Sequence, residues 1–217
     1  MITKKVLPFI AVAMLTGQAH AATLDVQVKS REGKSVSDIV VYLEPLAGQA
    51  LSKTDKQLVI SQSDKSFVPY LSVTQVGNPM TFSNRDDITH HIYSADAKEQ
   101  FSFVIKPGEE VAREGAKAES EIAMGCNVHD WMSGHLLVLE TPYFAKTDSA
   151  GKLRFDTAKG GAYKLVVWHP QLKSAEHRQS TDVNLDSQSE LTFTLNSTLG
   201  DIPEQKSGDD FDFLSDY

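Results

Sequence analysis

Cys126 is the only cysteine in the chain, and it stands in GCNVHDWM with His129 three residues on and Met132 three beyond that. A thiolate, an imidazole and a thioether this close together are three donors of a soft-metal site. Sulfur ligands select copper(I), zinc or iron–sulfur clusters, and imidazole suits zinc and copper. A fourth donor has to come from elsewhere, and NRDDITHHIYSAD (84–96) offers His90 and His91 where a polar turn runs into a strand. Two histidines and a cysteine in a trigonal set with a weak axial methionine form an electron-transfer copper site: soft sulfur holds Cu(I), imidazole tolerates both oxidation states, and the weak axial bond tunes the potential. Structural zinc closes with four Cys or His ligands, so Met132 argues against it. A cysteine hydrolase needs its histidine placed as a base with an orienting group behind it, and a methionine three residues past that histidine does not serve this purpose.

The compartment decides what a lone thiol means. MITKKVLPFIAVAMLTGQAHA has a short basic start (Lys4, Lys5), an apolar run from Val6 to Leu15, and Ala19-His20-Ala21 as a small-x-small cleavage site. This pattern reads as a secretory leader cut near Ala21. Its apolar run is shorter than the roughly 20 residues of a membrane span, so we expect an exported, periplasmic protein without membrane insertion. Cysteines in an oxidising compartment usually pair, which leaves a single one for intermolecular bonding, a reactive thiol or a metal. The chain carries 21 Lys and Arg against 29 Asp and Glu. Loss of Lys4 and Lys5 with the leader takes the net charge from -8 to -10, a surface that excludes nucleic acid and favours basic partners.

The elements that must position these donors are strands. LDVQVKS (24–30), DIVVYLEP (38–45), KQLVIS (56–61), YLSVTQV (70–76), MTFSN (80–84), HHIYSA (90–95), QFSFVI (100–105), HLLVLE (135–140), KLRFD (152–156), YKLVVWH (163–169), TDVNL (181–185) and ELTFTL (190–195) are short and mostly bounded by turn residues. Many short strands at this spacing predict an all-β sandwich architecture. The charged stretch 109–121 reads as a loop, and the acidic, aperiodic tail 197–217 as disordered. Strand parity puts His90 on the face of Ile92 and His91 on the face of Tyr93. The apolar Ile92 favours His90 as the inward residue.

The order of these features resembles the cupredoxins, the blue copper proteins. From about Lys56 to Glu140 the Pro69-x-x-Leu-x-Val strand, the Gly77 turn, MTFSNRDDITHH, the Lys106-Pro107-Gly108 turn and GCNVHDWM fall in that family's order, and the spacing of the ligand loop is similar to that of amicyanin. The chain as a whole resembles exported bacterial cupredoxin proteins often labelled methylamine utilization proteins. The resemblance implies a Greek-key sandwich and one type 1 copper ion held by His90, Cys126, His129 and Met132. Two positions depart from the pattern: Asp130 stands where amicyanin-like loops place proline, and His91 where the family usually has asparagine. A second resemblance covers the flanks. LDVQVKSREGKSVSDIVVYLEPL and FAKTDSAGKLRFDTAKGGAYKLVVWHP, with Thr147, Asp148, Gly151, Phe155, Gly161, Tyr163, Leu165 and Val167 at its motif positions, are similar to the halves of a carboxypeptidase-regulatory, transthyretin-like sandwich. It implies a sandwich in two parts (22–54 and 141–196) with a cupredoxin domain (55–140) inserted in or packed beside it, between the leader (1–21) and the tail (197–217); the alternative is a single extended sandwich.

The expected function is a one-electron carrier rather than an enzyme, exchanging electrons near the edge of His129 with a redox partner such as a basic cytochrome. The alternative is a copper-binding module for delivery, resistance or sensing. Among the remaining residues, His135 reads as a surface rim position, His169 and His177 as exposed, and Asp86 and Asp87 as a solvated turn. Met124 reads as core, and Trp131 as either part of a partner patch or a lid over the site.

Overall fold

A computed structural model of the chain describes residues 21–205 except 47 and 49. Its first strands, β1 (Ala21–Lys29) and β2 (Val40–Pro45), lead into β3 (Leu58–Ser63), β4 (Ser66–Val68), β5 (Leu71–Gln75), β6 (Met80–Asn84), β7 (His90–Ser94), β8 (Phe101–Ile105), β9 (Glu110–Arg113), β10 (Ser120–Cys126) and β11 (Ser133–Leu139). The chain continues through β12 (Phe144–Lys146), β13 (Lys152–Lys159), β14 (Ala162–Trp168), β15 (Arg178–Asn184) and β16 (Glu190–Thr194). The fold is all-β, and the only helical piece among the described residues is a 3-10 turn at Ala175–His177. No helix among them is long and apolar enough to cross a membrane.

The strands form four sheets, in the orders β13-β1-β16, β12-β2-β14-β15, β4-β3-β6-β9 and β5-β11-β10-β7-β8. Residues 58–139 make the last two, and the chain on either side of them makes the first two. Three cores join the sheets. Val26 and Val28 of β1 meet Val41 and Leu43 of β2 and Leu165 and Val167 of β14. Ile60 and Phe82 meet Ile92, Ile122, Leu136 and Val138. Between these two lies a seam of Val40, Tyr42, Val166 and Trp168 against Leu71, Leu137 and Leu139. Because successive side chains face opposite ways, β2, β14 and β11 each feed two cores. That explains why IVVYL, KLVVW and LLVL read as near-continuous apolar runs: strands buried on both faces lose their polar alternation. Tyr42 and Leu71 are fully buried and Trp168 is 1% exposed. At roughly 1.5–3 kcal/mol for each large apolar side chain taken out of water, this seam fixes the two pairs of sheets together. Arg178 of β15 adds polar links across it, pairing with Glu121 of β10 and donating to the Tyr42 hydroxyl at 3.2 Å.

Several expectations change. The stretch 109–121 is not a single loop: β9 pairs with β6, Val111 opposite Phe82, and residue 120 opens β10. β10 leaves a weak local signal, because its Gly and Ala are poor strand formers, yet Ser120, Ile122, Met124 and Cys126 alternate inward along it. Met124 is core, as expected. His169 is not exposed but 2% accessible, and its Nδ1 accepts the Gln171 N–H at 3.1 Å. The start of the tail is also held: Thr198 accepts from the Lys173 N–H, Leu199 bridges Leu172, and the Gly200 N–H donates to Gln171. Residues 1–20 of the expected leader and 206–217 of the tail lie outside the described residues.

Candidate metal centre

Two turns at one end of the second pair of sheets bring the donors together. The first follows β6, where Asn84 is 2% exposed. Its amide donates to the carbonyls of Ile88 at 2.7 Å and Ile105 at 3.1 Å, and its Oδ1 accepts the Asp86 N–H at 2.9 Å. With the turn pinned from inside, β7 starts with His90 pointing into the core. His90 and Ile92 are fully buried, His91 is half-buried and Tyr93 is exposed, which is the facing that parity predicts. The second turn leaves β10, which runs antiparallel to β7 with Cys126 opposite Ile92. Gly125 leaves room there for the tip of the Tyr93 ring, which lies 2.8 Å from where a Cβ would sit.

His90, Cys126 and His129 present ligand atoms that all lie within 4.8 Å of one another. His90 Nδ1 is 3.7 Å from Cys126 Sγ, and the two imidazole rings are 5.2 Å apart. Met132 is 1% exposed in the same core as Cys126, and its N–H closes the turn onto the His129 carbonyl at 3.0 Å. His129 Nδ1 is buried without a hydrogen-bond partner. Buried polar atoms are normally satisfied, and an orphaned imidazole nitrogen beside a thiol and a second imidazole fits a copper or zinc ion.

The electrostatics favour a thiolate. Burial pushes the Cys126 thiol up, but His90 and the backbone N–H groups of His91, Val128 and His129 outweigh it, and the net pKa is lowered. The Val128 N–H lies 3.4 Å from Sγ. Burial also drives His90 down, yet its bonds to Cys126 and Asp86 more than reverse this, and its pKa rises. His129 is lowered, by burial first and then by His90 and Lys65, with Asp86 opposing.

Asp86 is not the solvated turn residue that the sequence suggests. Its side chain is 10% exposed and its Oδ2 lies 2.8 Å from His90 Nε2. A carboxylate only accepts, so His90 carries a proton on Nε2, and Nδ1 is the nitrogen turned toward Cys126. The signal available in the sequence was an acid four residues ahead of the inward histidine. His91, on the outward face of β7, links two neighbouring segments. Its Nδ1 accepts from the Asn127 amide at 3.2 Å, its Nε2 donates to Ser102 Oγ at 2.7 Å, and its carbonyl accepts the Asn127 N–H at 2.9 Å. Trp131 packs on His129, ring centroids 5.2 Å apart. Asp87 and Asp130 are exposed. His135 is half-buried against Tyr70 rather than on the rim, and His177 lies near Glu121 with half its side chain accessible.

No protein-family model matches the chain, and no curated protein does. Solved structures do. A copper-containing nitrite reductase from Thermus scotoductus SA-01 matches 45% of this chain at 22% identity and a TM-score of 0.37, and the chain spans a quarter (25%) of that enzyme. A purple cupredoxin from Nitrosopumilus maritimus matches 39% of the chain over 99% of its own length, at 22% identity and a TM-score of 0.33. A variant of amicyanin in its Cu(I) form matches 45% of the chain over 91% of its length, at 15% identity and a TM-score of 0.35.

Proposed function

We propose that this chain is an exported, periplasmic type 1 copper protein of the cupredoxin kind that carries single electrons between redox partners. In this reading His90, Cys126 and His129 are the equatorial ligands and Met132 the axial one. The observation that carries the proposal is the convergence of two imidazole nitrogens and one thiol within 4.8 Å, in a buried pocket whose backbone N–H groups favour the thiolate. Bound copper would supply a one-electron couple. The chain's own part is to hold the donors: β7 and β10 fix His90 and Cys126 to neighbouring strands, and the His129–Met132 turn fixes the other two. A net charge of -8, or -10 without the leader lysines, suits a basic partner such as a cytochrome, since opposite fields raise encounter rates. The sheets built from residues 21–45 and 144–194 would form the second, transthyretin-like sandwich that carries the copper domain.

The test is to load the full chain with Cu(II) and record its visible spectrum, with Cys126→Ser alongside. An intense thiolate-to-copper band that vanishes in the variant is expected, because a hydroxyl is neither soft nor ionised near neutral pH. Copper bound without that band would refute the type 1 assignment. Oxidation and reduction by a basic cytochrome, without loss of copper, separates a carrier from a module that hands the metal on.

A further inference from the structure

The geometry points to Asp86 as the residue that fixes the tautomer of His90 and raises its donor strength, biasing the site toward Cu(II). This rests on the copper reading above. Three contacts build the carboxylate in. The Asp86 N–H donates to Asn84 Oδ1 at 2.9 Å, the Lys65 N–H donates to Oδ2 at 3.1 Å, and the same Oδ2 receives the His90 Nε2 proton at 2.8 Å. Lys65 delivers its N–H from the tip of the β3–β4 hairpin, where Asp64 and Lys65 stand at φ +53° and +55°. This left-handed geometry is the one that two-residue hairpin turns adopt. The His90 ring is fully buried, so no solvent competes for its outer nitrogen.

A ligand histidine nearly always gives its second N–H to a carboxylate, a carbonyl or a water, and that partner sets ring orientation and ligand basicity. Of the three, only a carboxylate brings a full negative charge. Placed across a buried imidazole, that charge increases electron density at Nδ1 and favours the doubly over the singly charged ion. Asp86 is thus a positioning residue that acts through His90. Charge and shape are separable here, because asparagine keeps an acceptor of the same size at this position and removes the charge.

The test uses the copper-loaded full chain and Asp86→Asn. We expect the variant to keep the visible band while its Cu(II) affinity falls about 10- to 100-fold relative to Cu(I). This reads as a reduction potential raised by roughly 60–120 mV, at 59 mV per tenfold for one electron. A potential and a Cu(II) affinity both within twofold-equivalent of the wild type would overturn the inference. Should the variant not fold, the wild-type protein still decides. In its Cu(I) form, nitrogen NMR should show a slowly exchanging proton on Nε2 of His90, and a proton on Nδ1 instead would overturn the inference. A wild-type protein without the thiolate-to-copper band would sink the copper reading alone, and the Nε2 proton in the metal-free protein would still judge the Asp86 contact.

Discussion

One buried imidazole makes stability fall with acid well above the range where carboxylates titrate. His169 follows β14 beside the seam, 2% exposed, with its Nδ1 accepting the Gln171 N–H at 3.1 Å. Burial, with help from His135 and Lys146 and against Asp38, lowers its pKa from 6.5 to about 4. The unfolded chain therefore binds this proton more readily than the folded one. The stabilising effect is complete above pH 6.5 and is lost as pH falls from there toward 4. A gap of about 2.5 units at 1.36 kcal/mol each comes to about 3 kcal/mol, of which about 2 kcal/mol falls between pH 7 and 5. For a chain of this size that is a drop of roughly 4–8 °C in Tm. The assay is thermal and urea unfolding of metal-free protein from pH 7 to 4, so that metal linkage does not enter, compared with His169→Asn. The asparagine oxygen can accept the Gln171 N–H and does not titrate, so the variant's curve should be flatter by about 2 kcal/mol between pH 7 and 5. Groups common to both proteins cancel in the difference. Parallel curves over that range would refute the reasoning.

Other consequences follow from the site. Met132→Leu should keep copper and raise the potential, since an axial methionine bond is weak; copper loss as complete as in Cys126→Ser, read by elemental analysis, would refute the assignment of equatorial and axial roles. His90→Ala should abolish tight copper binding, whereas His91→Ala, which removes only the link between Ser102 and Asn127, should cost about 10- to 100-fold in affinity by competition titration. Gly125→Ala must push aside the tip of the exposed Tyr93 ring and should destabilise by about 0.5–1.5 kcal/mol; Tyr93→Ala should recover most of this in a double-mutant cycle, and additive losses would show that the ring is not the obstacle.

The grouping of His90, Cys126 and His129, with Met132 in the same core, was legible in the sequence because it is carried by type and spacing: one cysteine, a histidine and a methionine at intervals of three, and a histidine whose neighbour Ile92 marks the inward face. What escaped was set by tertiary packing. Asp86 looks like any acidic turn residue until Asn84 pins the turn from inside and directs the carboxylate at His90. The strand carrying Cys126 has weak local preference for extended structure, and it is held by β7 and β11 on either side. His169 lies in a polar-looking WHP turn, yet it is 2% exposed, within electrostatic reach of Asp38, His135 and Lys146 from other strands and loops. The seam had left a trace, in apolar runs such as IVVYL and LLVL that are too continuous for strands with a wet face.

The placement of β11 bears on how far the loop after Cys126 can move. It takes up the chain directly after Met132, pairs with β10 on one side and β5 on the other, and sends Leu136 and Val138 into one core and Leu137 and Leu139 into the seam. The loop bearing Cys126, His129 and Met132 thus springs from two adjacent interior strands and returns into a layer that is packed on both faces. Cys126 and Met132 are themselves part of one of those cores, so a shift of the loop would disturb that packing. In the carrier proposed above, such a frame would hold His90, Cys126, His129 and Met132 in one compromise arrangement for both oxidation states, and so keep the reorganisation that accompanies each transfer small.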